Sequence, residues 1–148
     1  LSAEARNMDR FANHFRESPH ILIPNVHWAL TNADMNVQDF IDGIPANRLD
    51  LVDAAGLNRK VLAAHCADAV LKMILIDGYF HADPHPGNVF ITRDTQLAFL
   101  DLGMAGHLEK ADVATVATYG RRIYHTPRLI VAIMAKIDIT SVIRRKST

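Results

Sequence analysis

The residues with the clearest capacity for chemistry lie in two short stretches, Phe80–Asn88 and Asp101–Gly103. The first stretch carries an Asp and an Asn, and its two prolines each fix their own φ and disfavour helical geometry at the residue before them. The second stretch begins with an Asp. Carboxylate and amide oxygens are ligands that suit Mg²⁺, which keeps water or phosphate oxygens in its remaining positions. The sequence therefore predicts a rigid loop and a nearby turn that present oxygen ligands.

The order and spacing of Asp83, Asn88 and Asp101 match a known catalytic pattern. The catalytic loop of a protein kinase places an Asp near the acceptor hydroxyl and an Asn five residues later on a magnesium ion. A later Asp, in an Asp-Phe-Gly turn, holds magnesium at the phosphates. The pattern indicates phosphoryl transfer, with Asp83 as the catalytic residue and Asn88 and Asp101 as metal ligands.

A β-hairpin is predicted between these ligands. The apolar runs Val89–Thr92 and Gln96–Leu100 flank Arg93-Asp94-Thr95, which is typical of two strands joined by a three-residue loop. Because a hairpin brings its two ends together, we expect Asn88 and Asp101 to lie beside the same ion.

The remaining elements are predicted to be mainly helical. Helical spacing of apolar residues covers Ala3–Phe15, and a longer helix with an apolar face from Val61 to Ile74 should end at Gly78. A small strand pair is expected within Ile21–Ile41, and two helical stripes within residues 113–124 and 127–137. The fold class predicted from these patterns is α+β, mostly α.

Composition limits the functional classes. Sixteen Lys and Arg residues balance sixteen Asp and Glu residues, so no overall field steers the chain toward nucleic acid. A single cysteine gives no disulfide framework, and no run of about 18 apolar residues is present. Function must come from a local site.

The motifs resemble those of one family. The run His81–Asn88, preceded by Gly78-Tyr79-Phe80 and followed by Leu100–Gly103, closely resembles the UbiB/AarF/ADCK family of atypical kinases. Glu4–Phe15 is similar to the helix C region of that family, and Ile23–Gly43 to its strand pair and interlobe hinge. The resemblance weakens after about Ile123.

The resemblance implies a protein kinase-like C-terminal lobe, in which a short β-hairpin carries the metal-binding turn. Residues 1–43 would be a remnant of the N-lobe and residues 44–148 the C-lobe, and we expect the chain to be truncated at both ends. Leu102 departs from the commoner Phe. The sequence also lacks a Gly- or Ala-rich nucleotide loop, a recognisable ATP-anchoring lysine and a Lys-x-Gly-Gln motif.

By the same resemblance the cofactors are ATP and Mg²⁺. Asp83 would be catalytic, and Asn88 and Asp101 would bind both the metal and the nucleotide phosphates. Glu4 would be the helix C glutamate near the lysine that anchors ATP in the family, and His85 would approach a phosphate or the acceptor.

The resemblance further implies a role in ubiquinone or other isoprenoid-lipid metabolism. Expected partners are a nucleotide and isoprenoid lipids or lipid-biosynthesis proteins, with no nucleic acid. The expected location is cytoplasmic, at the periphery of a bacterial inner membrane, or mitochondrial, with membrane association only through the parent protein.

Two alternatives remain open. The missing N-lobe motifs favour a non-catalytic, kinase-like binding or scaffold module. The residues His81, Asp83 and His85 are also permissible zinc ligands, which would suit a small zinc hydrolase. In the kinase interpretation, His81 instead braces the loop through backbone contacts.

Overall fold

A computed structural model describes residues 2–83 and 85–114 of the chain. The helices are α1 (Ser2–His14), α2 (Leu49–Ala54) and α3 (Arg59–Lys72), with a π-helical turn at Met73–Asp77 and 3₁₀ turns at Trp28–Leu30 and Pro86–Asn88. The strands are β1 (Ile21–Leu22), β2 (Ile44–Pro45), β3 (Tyr79–His81), β4 (Val89–Ile91), β5 (Leu97–Phe99) and β6 (Ala105–His107). The helices predicted beyond residue 114 lie outside the described residues, and so does Pro84.

Helix α1 confirms the first predicted helix. Its side chains at Ala5, Met8 and Phe11 are fully buried, and Phe15 just beyond its end is 4% exposed. This spacing of three or four residues gives one apolar face. Burial of a side chain as large as Met8 or Phe11 contributes about 1.5–3 kcal/mol, so the helix is anchored firmly to the core.

Two small sheets are present in the described residues. The first has the strand order β1-β5-β4-β2, in which β4 and β5 form the predicted antiparallel hairpin with Val89 opposite Phe99. The second pairs β3 with β6 in antiparallel register, Phe80 opposite Gly106. The hairpin prediction is confirmed, whereas the β3–β6 pair had no counterpart in the sequence analysis.

The strand pair expected within residues 21–41 forms only in part. β1 pairs in parallel with β5, and an isolated antiparallel bridge joins Val26 to Gln38. Pro24 follows β1 closely, and a proline cannot donate the N–H that a continuing strand requires. The chain therefore leaves the sheet after β1 and turns back through a single bridge.

Helix α3 and its extension have clear boundaries. The Asn58 side chain accepts hydrogen bonds from the backbone N–H groups of Lys60 and Val61 and so caps the helix. At the other end Gly78 has φ of +58°. A left-handed residue of this kind ends helices and favours glycine, so the predicted glycine stop is confirmed.

The core is continuous across the described residues. It joins α1 to both sheets through buried side chains that include Phe11, Tyr79, Phe99 and Leu102. The structure is a mixed α+β fold. None of the described helices has the length and apolar character needed to cross a membrane.

Candidate active site

The loop after β3 is shaped by its own backbone. The N–H of His85 donates to the carbonyl of Asp83 at 2.7 Å, and the N–H of Asn88 donates to the carbonyl of His85 at 2.8 Å. His85 Nδ1 accepts from the N–H of Gly87 at 3.0 Å and thereby caps the 3₁₀ turn. Asp83 and His85 are exposed, and Asn88 is half-buried. The loop therefore presents two of the predicted residues to solvent on a backbone held by hydrogen bonds.

The β4–β5 hairpin brings the next two predicted residues to one end of a sheet. Asn88 immediately precedes β4, and Asp101 lies just beyond the end of β5. The carbonyl of Asn88 accepts a hydrogen bond from the N–H of Leu100 at 2.9 Å, so the hairpin is closed at this end. The hairpin is confirmed, and the binding of one ion by both Asn88 and Asp101 stays a prediction.

The turn at Asp101–Gly103 fixes one of the two carboxylate oxygens. Asp101 Oδ1 accepts a hydrogen bond from the N–H of Gly103 at 3.0 Å. A Cβ at Gly103 would lie 3.2 Å from this oxygen, so a glycine suits the turn. Leu102 is fully buried between the two. Since Oδ1 accepts the hydrogen bond inside the turn, Oδ2 is the Asp101 oxygen that this hydrogen bond leaves with both lone pairs for a cation.

His81 lies under the loop and close to both acidic residues. It is 5% exposed, and its Nδ1 is 3.3 Å from the carbonyl oxygen of Met104 and 3.4 Å from the backbone nitrogen of Asp83. Burial lowers the pKa of His81, against the opposing effects of the Met104 carbonyl and the charges of Asp101 and Asp83. The ring therefore lies as a brace between the loop and Met104, the residue before β6.

Glu4 lies beside the same turn. It is half-buried in the first turn of α1, and its Cγ is 4.0 Å from the point where Gly103 would carry a Cβ. The structure thus brings Glu4 to Gly103, although the two are far apart in sequence.

Two contributors to this region were missed by the sequence analysis. Asn7 Nδ2 donates to the carbonyl of Leu102 at 2.9 Å, and Tyr79 Oη donates to Asn7 Oδ1 at 2.7 Å. Asn7 lies three residues after Glu4, so the two side chains are on the same side of an α-helix. This spacing is the only local signal in the sequence that could have indicated a role for Asn7. Its partner is 95 positions away, beyond the reach of local patterns.

The donor atoms suit a hard cation and a phosphate-bearing ligand. The Asn88 side-chain oxygen and Asp101 Oδ2 are hard ligands, and Mg²⁺ commonly takes one or two carboxylates and completes its shell with water and phosphate oxygens. Among residues 2–83 and 85–114, no cluster of three or more His, Cys, Asp or Glu side chains is arranged to hold a metal. This finding gives no support to the zinc alternative built on His81, Asp83 and His85, because a zinc site requires at least three such ligands.

Comparison with known proteins gives a consistent result. The ABC1 atypical kinase-like domain matches residues 1–128. Protein ACTIVITY OF BC1 COMPLEX KINASE 8, chloroplastic, of Arabidopsis thaliana is 35% identical over 107 residues, which are 71% of this chain and 14% of that protein. The probable protein kinase UbiB of Marinobacter nauticus is 33% identical over 121 residues, which are 79% of this chain and 22% of that protein.

A solved structure shows the same fold. The complex of Rv3197 with erythromycin from Mycobacterium tuberculosis matches with a TM-score of 0.52 and 23% identity, over 71% of this chain and 26% of that one. The chain therefore spans about a quarter or less of the length of these relatives.

Proposed function

The chain belongs to the family of ABC1 atypical kinase-like domains, and from this premise we propose that it forms part of an enzyme that binds Mg-ATP and catalyses phosphoryl transfer or ATP hydrolysis. One observation carries the proposal. The closed β4–β5 hairpin holds Asn88 and Asp101 at the same end, beside the loop that carries Asp83. Asp83, Asn88 and Asp101 follow the order of the three residues that a kinase uses for acceptor, metal and phosphate, which supports these roles here.

The proposed ligands of Mg²⁺ are the side-chain oxygen of Asn88 and Asp101 Oδ2. When bound, the ion would neutralise charge on the ATP phosphates and orient them for transfer. Asp101 suits this role because its other oxygen is fixed by the N–H of Gly103, which restricts rotation of the carboxylate. A ligand held in this way loses little rotational freedom when a cation binds.

Asp83 would orient the attacking hydroxyl or water and accept its proton. It is exposed, so an acceptor can reach it, and the hydrogen bond from His85 N to its carbonyl fixes the backbone. The Nδ1 of His85 is used as a cap, which leaves Nε2 as the nitrogen that would contact a phosphate or the acceptor. Glu4 would pair with an ATP-anchoring lysine elsewhere in the whole protein.

We also propose that the chain is divided into parts of two kinase lobes. Residues 44–148 would form a kinase-like C-lobe whose hairpin carries the metal-binding turn, and residues 1–43 a remnant of the N-lobe. The similarity to a probable protein kinase UbiB supports a role in ubiquinone or other isoprenoid-lipid metabolism. The proposed partners are a nucleotide and isoprenoid lipids or lipid-biosynthesis proteins, at the periphery of a membrane.

Calorimetry of ADP and ATP binding tests the proposal. The full-length protein should bind nucleotide in the presence of Mg²⁺, and Asp101→Asn should weaken that binding by about tenfold or more, since loss of even an outer-shell metal partner costs about 10- to 100-fold. Asp94→Asn is the matched control, because Asp94 is exposed at the tip of the same hairpin. Equal binding by wild type and Asp101→Asn would rule out the proposed metal site.

A non-catalytic binding or scaffold module is the second candidate. A folded full-length protein that is indifferent to nucleotide, with or without Mg²⁺, would establish this candidate instead of the first.

A further inference from the structure

Asn7 links helix α1 to the turn that carries Asp101. From its hydrogen bonds we infer that Asn7 is a positioning residue, which holds the Asp101–Gly103 turn in the geometry that binds the metal. The inference rests on the proposed function, because it assigns a role to a neighbour of the proposed metal ligand.

The amide of Asn7 holds the turn by its backbone. Nδ2 donates to the carbonyl oxygen of Leu102 at 2.9 Å and lies 3.4 Å from the carbonyl oxygen of Gly103. These carbonyls belong to the two residues that directly follow Asp101. A single side chain therefore restrains the backbone on one side of the proposed ligand, while the hydrogen bond from Gly103 N restrains its carboxylate.

Tyr79 fixes the orientation of this amide. A carbonyl oxygen can only accept a hydrogen bond, so the NH₂ end of Asn7 must face Leu102 and its oxygen must face Tyr79 Oη, 2.7 Å away. The Tyr79 ring is held in place by Phe11, with centroids 4.8 Å apart, and by the Arg10 guanidinium, 4.0 Å from the centroid. Burial raises the pKa of Tyr79, so the hydroxyl remains a donor at neutral pH.

The chemistry of asparagine is required at this position. The site needs a donor toward two carbonyls and an acceptor toward a hydroxyl, and an amide of this length supplies both. A leucine of similar size would supply neither. Because Met8 and Phe11 of the same helix are fully buried, and Phe11 lies one turn beyond Asn7, the restraint on the turn is transmitted from the core.

The test measures metal affinity of the full-length protein in the presence of ADP, with Mn²⁺ as the probe and its unbound electron paramagnetic resonance signal as the readout. Asn7→Leu should raise the Kd for Mn²⁺ by about tenfold, the lower end of the range for outer-shell partners. Tyr79→Phe, which removes one oxygen and keeps the ring, should raise it by a smaller factor. Asn13→Leu makes the same change at an exposed position of α1 and should leave the Kd unchanged.

A second readout is independent of metal. The amide resonance of Gly103 in a ¹H–¹⁵N spectrum reports its hydrogen bond to Asp101, and it should shift in Asn7→Leu and Tyr79→Phe without added metal. A merely structural role for Asn7 would lower thermal stability without changing the Kd. If Asn7→Leu folds poorly, Tyr79→Phe alone decides the question.

The outcomes separate the two proposals. If Asp101→Asn loses Mn²⁺ while both Asn7→Leu and Tyr79→Phe bind it as the wild type does, the positioning role is overturned and the proposed function stands. If Asp101→Asn also binds Mn²⁺ normally, the proposed metal site itself is overturned, and the role of Asn7 falls with it. Weaker binding in Asn7→Leu, with no change in Asn13→Leu, supports the inference.

Discussion

Two regions of the molecule are held by polar side chains: the turn at Asp101–Gly103 and residues 25–39, called here the hinge segment. They differ in how deeply the side chains around them are buried. Beneath the turn, Leu102 is fully buried and Phe99 is 2% exposed. In the hinge segment, Asp39 accepts from Asn25 and His27 at exposed positions. Exposed hydrogen bonds compete with water and add little net stability, whereas burial of apolar side chains adds much more. The turn of the candidate site is therefore stabilised mainly by burial of apolar side chains in the core. The hinge segment is held by solvent-accessible hydrogen bonds, which stabilise it less.

The largest effect that would test this comparison comes from Leu102→Ala. Because Leu102 is fully buried, its truncation should lower the free energy of unfolding by about 2–5 kcal/mol, measured by urea denaturation. Leu30→Ala is the matched control in the hinge segment, where the side chain is 58% exposed, and should change it by less than about 0.5 kcal/mol. Equal losses in the two variants would contradict the comparison.

A smaller loss is expected from Gly106→Ala. A Cβ at Gly106 would overlap the Phe80 ring, across the β3–β6 pair, so the ring or the strand would have to move. Overpacking of this kind should lower the free energy of unfolding by about 1–3 kcal/mol. Adding Phe80→Leu to Gly106→Ala should recover part of the loss in the same denaturation experiment, and a double variant whose losses simply add would exclude a clash as the cause.

The hinge segment should respond less to loss of a single hydrogen bond. Trp28 is 45% exposed, and its Nε1–H donates to Asp9 Oδ2 at 2.7 Å. Trp28→Phe and Asp9→Ala, combined in a double-mutant cycle, should give a coupling energy of about 1 kcal/mol or less. A coupling energy of several kcal/mol would place this contact among the buried interactions and weaken the contrast with the turn.

The smallest effect concerns the pH dependence of the hinge segment. Hydrogen bonds from Asn25, and then from His27, lower the pKa of Asp39. A carboxyl whose pKa is lower in the folded state stabilises the fold above its unfolded pKa of about 4, and this contribution is lost as the pH falls through the folded pKa. The stability difference between wild type and Asp39→Asn should therefore shrink as the solution is acidified below about pH 4.

Two measurements test the predicted contribution of Asp39 to the pH dependence of stability. Carbon NMR titration of the Asp39 carboxyl should show a midpoint below that of an unstructured aspartate, and denaturation at several pH values should show the shrinking difference. A midpoint at the usual value would remove the contribution of these hydrogen bonds.

Local patterns were sufficient where an element is defined by its own residues. The apolar runs around Arg93-Asp94-Thr95 predicted the hairpin, and Gly78 predicted the end of the long helix, because turn and stop signals act over a few residues. Since the hairpin determines where Asn88 and Asp101 lie, much of the candidate site could be predicted from the sequence before the structure.

Long-range pairings could not be predicted in this way. Strands β3 and β6 have three residues each, and neither has a partner near it in sequence. The residues around Asn7 do not distinguish it from other polar residues on a helix, because its partner Leu102 is far away in the sequence. The expected strand pair within residues 21–41 was only partly right, because β1 takes its hydrogen bonds from β5, which lies much later in the chain.

The closed base of the β4–β5 hairpin also determines which changes in chain length the protein can tolerate. The pairing of Asn88 with Leu100 fixes the spatial separation of the residues at the base, whereas the tip at residues 93–95 lies at the opposite end of the strands. Each doubling of a flexible loop costs only about 0.6 kcal/mol in closure entropy. Insertions at the tip, such as a reporter peptide, should therefore leave the geometry of the base unchanged.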